Sequence, residues 1–562
     1  MKNKIICLIF AMVLVVCALA SCGGGGGDDT KKDPSIPLNW DTTELLFQMN
    51  MSSNGKELSS GVKRYYAGED NKGEKIDELI SDRNDKAYAD AKVTVKYSYL
   101  EDNNADYVWG KNADRIFTQA SSGGQNTPDM FCNFAYDMTC AAIKGAFANL
   151  YSTSYDSNGN DKGENYFRFT EADYNPTITD FFDSKAGEGY FKAYMDSLSL
   201  SNGKAYCLAS DYCTDLVRSF LVIPVNVSLL GEVKVDGTNV VDILGDGKYD
   251  TYDFYTMVWN NEWTYDKIAA ISGNVYQNNY KDNDTAGATT NIGDRIGFAA
   301  GVGSGLTASG LLYTTDVKII DKGTLSYPAN NQTLNDVAAA LNKLFSENKS
   351  NGVCTVSVEQ AKALGYNGTH AELDAIRDQF TDKNKNNILF GGIVTVGSLE
   401  DSDYQGMKAN GGFGIVPVPL YKTGIEYKTL VHNLARIVGI SVVTGEFEMC
   451  TAFLNEVSTN SSNVLEQYYT KNLAAVVGGG TAGENNVQML TYIRNHVNDC
   501  FDKTYEDMVS FYKSDTATAT WHNTLMAANY QMGDFSTVYG TMASSKTTTL
   551  KEIETAWKAL SK

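Results

Sequence analysis

Beyond residue 22 the chain contains no run of eighteen or more apolar residues, so no further membrane-spanning helix is expected there. Histidine is scarce, with only 4 in 562 residues, and no GxSxG elbow stands between a strand and a helix. Ser-His-Asp hydrolysis therefore lacks its motif. There is no HExxH for a zinc protease and no CxxC pair for a structural zinc or a redox site. A basic excess is also missing. Lys and Arg number 47 against 68 Asp and Glu, for a net charge of −21. Such a surface argues against nucleic acid as a partner, because phosphate binding needs a basic footprint. No internal repeat is visible.

What is present begins with the leader. Lys2 and Lys4 precede the uncharged apolar run Ile5–Ala20, a signal-peptide pattern. Leu19-Ala20-Ser21-Cys22 resembles the bacterial lipobox, whose cysteine is lipidated and becomes the mature N-terminus. Gly23–Gly27 and the polar residues after them cannot bury apolar surface, so 22–40 is expected to be a flexible tether behind a signal peptide at 1–21. Loss of the leader takes the net charge to about −23. The expected product is a globular body on the extracellular face of a bacterial membrane, held by lipid but not embedded.

Of the 10 cysteines, Cys7 and Cys17 lie in the leader and Cys22 is the anchor. Cys132, Cys140, Cys207, Cys213, Cys354, Cys450 and Cys500 remain, an odd set that leaves at least one free thiol or intermolecular bond. Cys132–Cys140 and Cys207–Cys213 are possible local disulfides; buried thiols are the alternative.

The length suggests two or three domains' worth of core, and the body reads as alternating strands and helices. Strands are expected at Leu45–Met49, Val93–Tyr99 and Pro128–Cys132. Ile76, Leu79, Ile80 and Ala87 share one helical face. Leu334, Val337, Leu341, Leu344 and Phe345 form another stripe, with Thr333 as cap, and a last helix with a capping box at Thr549–Glu552 aligns Leu550, Ile553, Trp557 and Leu560. Loops are expected at 152–170, 273–292 and 474–486. The class is mixed α/β with parallel strands.

Two motifs suggest chemistry and are set aside. Gly478–Gly483 matches GxGxxG, but no clear apolar helix is read after it, so a mobile glycine loop is expected. Asp242, Asp246, Asp250 and Asp253 fall at positions 1, 5, 9 and 12 of an EF-hand-like calcium count, with Gly247 at the turn. Position 3 is Leu244, which cannot coordinate, and the plainer reading is a polar loop before a helix. No metal and no cofactor is expected. His432 is expected to be structural. Aromatic content is high, at 11% with 34 Tyr, which suits stacking on the C–H faces of sugars.

Several segments, in order, resemble the extracellular solute-binding proteins of ABC importers, family 1, of the carbohydrate type, and especially the long lipoprotein branch of Gram-positive bacteria. Gly73-Glu-Lys-Ile-Asp-Glu-Leu-Ile-Ser-Asp-Arg83-Asn84 resembles the "G…DDA…RN" helix. Thr127-Pro128-Asp129-Met130 is similar to the "PD-hydrophobic" strand, and Leu200-Ser-Asn-Gly-Lys-Ala-Tyr206 with Ser210-Asp211 to "GK-Y…GD". Asn261-Glu262-Trp263-Thr264-Tyr265-Asp266-Lys267 resembles "GEWTxDK", Gly412–Pro419 with Tyr427 "FGILPxPKY…Y", and Val464–Tyr469 "V…YY". The chain departs from the pattern at Val225-Asn226-Val227, where the family has aromatic-Asn-Lys.

The resemblance implies a two-lobed, periplasmic-binding-protein-like α/β fold of the class II, Venus-flytrap kind, with lobe one at 41–150 and 430–490 and lobe two at 151–429 and 491–562. It implies a binding protein rather than an enzyme, monomeric, delivering a sugar or oligosaccharide to ABC permease subunits, with ligand closing the lobes by population shift. A surface glycoside hydrolase and a glycan-binding adhesion lipoprotein are the alternatives. Ligand contacts are expected at strand C-terminal ends: Asn50, Tyr136, Asp137, Asp211 and Tyr212. Trp263 is expected to pack a helix start.

Overall fold

A computed structural model describes residues 36–560 except 37, 52–61, 102–110, 125, 152–166, 168–188, 201–203, 280–291, 302–303, 315–317, 328–331, 349–350, 369–370, 383–384, 386, 408–411, 469–472, 474–480, 498–499 and 512–534. The lipobox with Cys22, tether residues 22–35 and 37 and the glycines 478–480 lie outside the described residues; the end of the expected tether is instead docked, with Ile36, Leu38 and Trp40 packed on the core and Trp40 Nε1–H donating to the Ala91 carbonyl at 3.0 Å.

Among the described residues ten strands, numbered in chain order, make two sheets: β1 Glu44–Met51, β2 Thr94–Glu101, β3 Met130–Phe134, β4 Leu221–Asn226, β5 Ile296–Gly301, β6 Val353–Val356, β7 Ile388–Phe390, β8 Val394–Thr395, β9 Phe413–Pro417 and β10 Arg436–Ile440. The first sheet runs β10-β3-β1-β2, and the second β6-β5-β7-β4-β8 with β9 also on β4. β1 pairs parallel with both β2 and β3, whereas β10 returns antiparallel to β3. In the second sheet β5 is parallel to β6 and β7, and β4 is antiparallel to its neighbours.

Each sheet is the floor of one lobe, and apolar alternation explains why. Leu45, Phe47 and Met49 of β1 are buried, and β3 is buried along its whole length. The helix Lys75–Ala91 turns Ile76, Ile80 and Ala87 inward and packs against Phe447–Thr459 and Ser462–Gln467. In the second lobe the helix Tyr265–Val275 packs on β5. Gly297 permits this approach, since a Cβ there would lie 2.1 Å from the Ser272 Cα.

Three segments cross between the lobes. The first is continuous with the edge of β10 through the Leu208–Val438 bridge and reaches β4 after the short helix Thr214–Arg218. The second returns from β9 to β10 and pairs with the first at Phe220–Val431. The third lies between the helices Thr481–Asn495 and Phe501–Phe511, where Thr429 N–H donates to the His496 carbonyl at 2.7 Å.

These crossings place several segments differently from the sequence-based division. Residues 189–200 and 204–213 stay with the first lobe, where Leu150 N–H donates to the Ala205 carbonyl and Leu208 pairs with β10. Thr481–Asn495 packs against β9 and Thr251–Trp259 in the second lobe. Phe501–Phe511 and Phe535–Leu560 pack on Ala135–Ile143 of the first, and the last of these helices also reaches Gln332–Asn342. Periodicity identifies a helix but not its partner. Two caps are likewise displaced: Thr333 lies inside a helix that starts at Gln332, and Thr549 lies inside one that starts at Phe535. Residues 273–275 end a helix rather than begin a loop, and Thr481–Asn486 opens one, with Asn485 and Asn486 buried. Asn486 there accepts the Tyr255 O–H, which is why a polar stretch can be helical and internal.

All seven cysteines from Cys132 to Cys500 are buried, and Cys132, Cys140, Cys207, Cys213, Cys354 and Cys450 are free thiols. Among the described residues no helix is long and apolar enough to cross a membrane.

Candidate ligand cleft and hinge

The strand ends converge where the first lobe meets the crossings. β3 ends at Phe134 and passes directly into the helix Ala135–Ile143. Tyr136 stacks on Phe134 with ring centroids 6.0 Å apart and planes 17° apart. Leu434 packs against this pair, which stands apart from the main core. Asp137 is fully buried in the first turn of the same helix, where the dipole favours a carboxylate. Its Oδ2 accepts from Asn112 at 3.4 Å and Asn133 at 3.5 Å. Asn50 is one residue from the end of β1, opposite Leu100 of β2; its side chain lies outside the described set.

Asp211 and Tyr212 sit on the first crossing and are engaged within the protein. Arg494, in the last turn of Thr481–Asn495, donates one Nη2 to both Asp211 oxygens at 2.8 and 2.7 Å. This ion pair ties the first crossing to the second lobe. Tyr212 is 0% exposed. Its ring meets Tyr66 edge-on at 5.1 Å and lies 5.0 Å from the Arg83 guanidinium, and its hydroxyl is 3.4 Å from that of Tyr97. Tyr136 and Asp137 thus share one helix turn, while Asp211 and Tyr212 belong to the hinge and the first-lobe core.

Sequence reasoning missed the charged network at the hinge. Arg436 of β10 is 0% exposed and donates Nη1 to Asp215 Oδ2 at 2.8 Å. Arg218 donates Nη1 to Asp215 Oδ1 at 2.9 Å, and Nε and Nη2 to the two oxygens of Glu400 at 2.8 and 3.2 Å. Burial alone would lower the Arg218 pKa, but Glu400 and Asp215 raise it well above the ordinary value, so the guanidinium stays charged. A signal was present: Arg436 is a lone charge inside the apolar run Ala435–Ile440. His432 Nδ1 accepts the Leu434 N–H at 3.3 Å, and desolvation lowers its pKa to about 3, leaving the ring neutral.

The acidic loop serves the backbone. Asp242 accepts from the amides of Gly245, Asp246 and Gly247, while Asp250 caps the helix Thr251–Trp259 in a capping box with Asp253. Among the described residues no three His, Cys, Asp or Glu side chains converge as a metal site would require. Trp263 is buried, donates Nε1–H to the Pro417 carbonyl at 3.0 Å and meets Phe254 edge-on.

Two α/β lobes on separate sheets, joined by three crossings, make a two-lobed fold that is shared with proteins of known structure. The sugar-binding protein MalE from Xanthomonas citri matches with a TM-score of 0.50 at 8% identity, over 92% of this chain and 99% of that one. An extracellular solute-binding protein of family 1 from Alicyclobacillus acidocaldarius gives 0.47 at 9%, over 91% and 99%. The maltose/maltodextrin-binding domain MalE from Bdellovibrio bacteriovorus gives 0.42 at 13%, over 90% and 99%. At such identities the likeness is one of fold. No family model and no curated protein matches the sequence.

Proposed function

We propose that this chain is the substrate-binding component of an ABC importer, anchored to the outer face of the membrane through lipidated Cys22, and that it captures a sugar or oligosaccharide between its lobes. The observation that carries this reading is the stacked pair Phe134–Tyr136, set apart from the core at the C-terminal end of β3, beside a hinge of crossing segments. The described fold is shared with a sugar-binding protein, which supports the same class of solute. Parting of the lobes offers the Tyr136 ring to a pyranose face, and Asn50 and Asp137 meet hydroxyls. Asp211 and Tyr212 shape the cleft through Arg494 and Arg83. Ligand touching both lobes favours the closed state by its difference in affinity for the two arrangements. The chain acts as a monomer and returns its solute uncleaved to the permease.

A thermal-shift screen against mono- and oligosaccharides tests this. A ligand at a hundred times its Kd adds about 2.7 kcal/mol to the folded state. Tyr136→Ala should weaken that ligand roughly tenfold. A full saccharide panel without a shift overturns the sugar reading, and recovery of cleaved glycan overturns the non-enzymatic one. Cys22→Ser should release the protein into the medium; retention on the membrane removes the anchor.

A further inference from the structure

The short helix Thr214–Arg218 stands between the lobes, and its two charged side chains face different ones. Asp215 meets Arg436 of the first lobe at 2.8 Å. Arg218 grips Glu400, which closes the turn Val396–Glu400 behind β8 in the second lobe. Glu400 also accepts the Tyr468 O–H, and Tyr468 caps the helix Ser462–Gln467, which packs on Lys75–Ala91 in the first lobe. Tyr65, on a turn packed against the same helix, lies 5.3 Å from the Arg218 guanidinium and edge-on to Tyr468 at 6.3 Å. The path leaves the first lobe at Arg436, passes through the hinge helix to the second lobe, and re-enters the first at Tyr468.

We propose that this circuit is an interlobe clasp, and that the Glu400–Tyr468 hydrogen bond is the contact that breaks when the lobes part. The two ends of the circuit are not equivalent. Arg436 spends one N–H on Asp215, while its buried Nε and Nη2 have no hydrogen-bond partner among the described residues and its guanidinium faces the Phe134 ring at 4.7 Å. Withdrawing Asp215 would strand a buried cation, so this end stays fixed. The helix Thr214–Arg218 touches both β10 and Val396–Glu400, but the bidentate Arg218–Glu400 pair ties the Arg218 end to the second lobe. Tyr468 remains as the separable partner, since a neutral hydroxyl can exchange the carboxylate for water at modest cost. With two cations facing two carboxylates the circuit is charge-balanced, and its burial makes salt a weak lever on it.

Spin labels on Lys86→Cys, in the first-lobe helix, and Lys362→Cys, in the second-lobe helix Val358–Ala363, report lobe separation by pulsed electron paramagnetic resonance. Both sites are exposed, and the seven cysteines from Cys132 to Cys500 are buried. In ligand-free protein, Tyr468→Phe should move the ratio of the parted to the clasped population roughly tenfold toward the parted form, the effect of one hydrogen bond to a charged group. Its ring keeps the Tyr65 packing, so thermal melting should stay close to that of the parent. Glu400→Gln should move the distribution in the same direction. Unchanged distances in Tyr468→Phe overturn the clasp, whether or not Glu400→Gln folds. Because no ligand is added, a failed saccharide screen leaves this result standing.

Discussion

Arg83 and Arg436 are both sealed from solvent, yet they are held by opposite chemistry. Arg83 sits inside the first lobe and touches no carboxylate among the described residues. Its Nη2 donates to the Tyr65 and Tyr66 carbonyls at 2.7 and 3.3 Å, its Nε to Asn84 at 3.0 Å, and its face lies near the Tyr212 ring. Burial accordingly lowers its pKa. Arg436, at the hinge, is held by the Asp215 carboxylate. Carbonyls and rings suffice where donor and acceptor belong to one rigid lobe and cannot drift apart. A contact that must survive relative motion needs the stronger, longer-ranged pull of an opposite charge.

The largest effect that would break this comparison is expected at Asp215. Asp215→Asn leaves Arg436 buried without an anion and should destabilise by about 3–5 kcal/mol in urea unfolding. A cost below about 1 kcal/mol would mean that Arg436, like Arg83, needs no carboxylate. Arg83→Met tests the other side. It removes the Arg83 N–H from the Tyr65 carbonyl but keeps most of the volume, and the Tyr66 carbonyl retains the Asn84 amide at 2.9 Å, so about 1–2 kcal/mol is expected.

A third buried site sharpens the contrast, because there the carboxylate is the poorly compensated partner. Burial pushes the Glu506 pKa up to about 8, although Lys546 lies 3.5 Å away and the Tyr327 hydroxyl donates to it at 3.2 Å. Asp507, which raises it further, and Lys503 face it from the same helix. The folded state therefore holds a proton that the unfolded chain releases near pH 4.5. This contribution to stability is complete below pH 4.5 and disappears as pH rises through 8. Glu506→Gln should flatten that decline by roughly 1–2 kcal/mol between pH 5 and pH 8, read as melting temperature against pH. The smallest effect belongs to Lys75–Glu78, an exposed pair whose loss through Lys75→Ala should stay within about 0.5 kcal/mol.

The strands and the helix Lys75–Ala91 were legible because their apolar spacing is set by local burial, as Ile76, Ile80 and Ala87 show. The motifs added the two-lobed fold, since their order carries information that periodicity lacks. The lobe assignment of the last helices was not legible. Nothing local to Tyr505 or Trp557 says that one packs near Ala135–Ile143 and the other against Tyr206. Reading strand ends placed Tyr136 and Asp137 on the turn after β3, beside Phe134 and Asn133 of the same strand. It missed Glu400 and Tyr468, brought to Arg218 only by the meeting of two lobes.

The three crossings lie side by side, with the middle one bonded to both others at Phe220–Val431 and Thr429–Val497. A strap of three laced ribbons bends easily across its width but resists torsion. Such lacing should reduce lobe motion to one soft coordinate, a swing without a twist. A single distance between the lobes should then be enough to follow the whole movement.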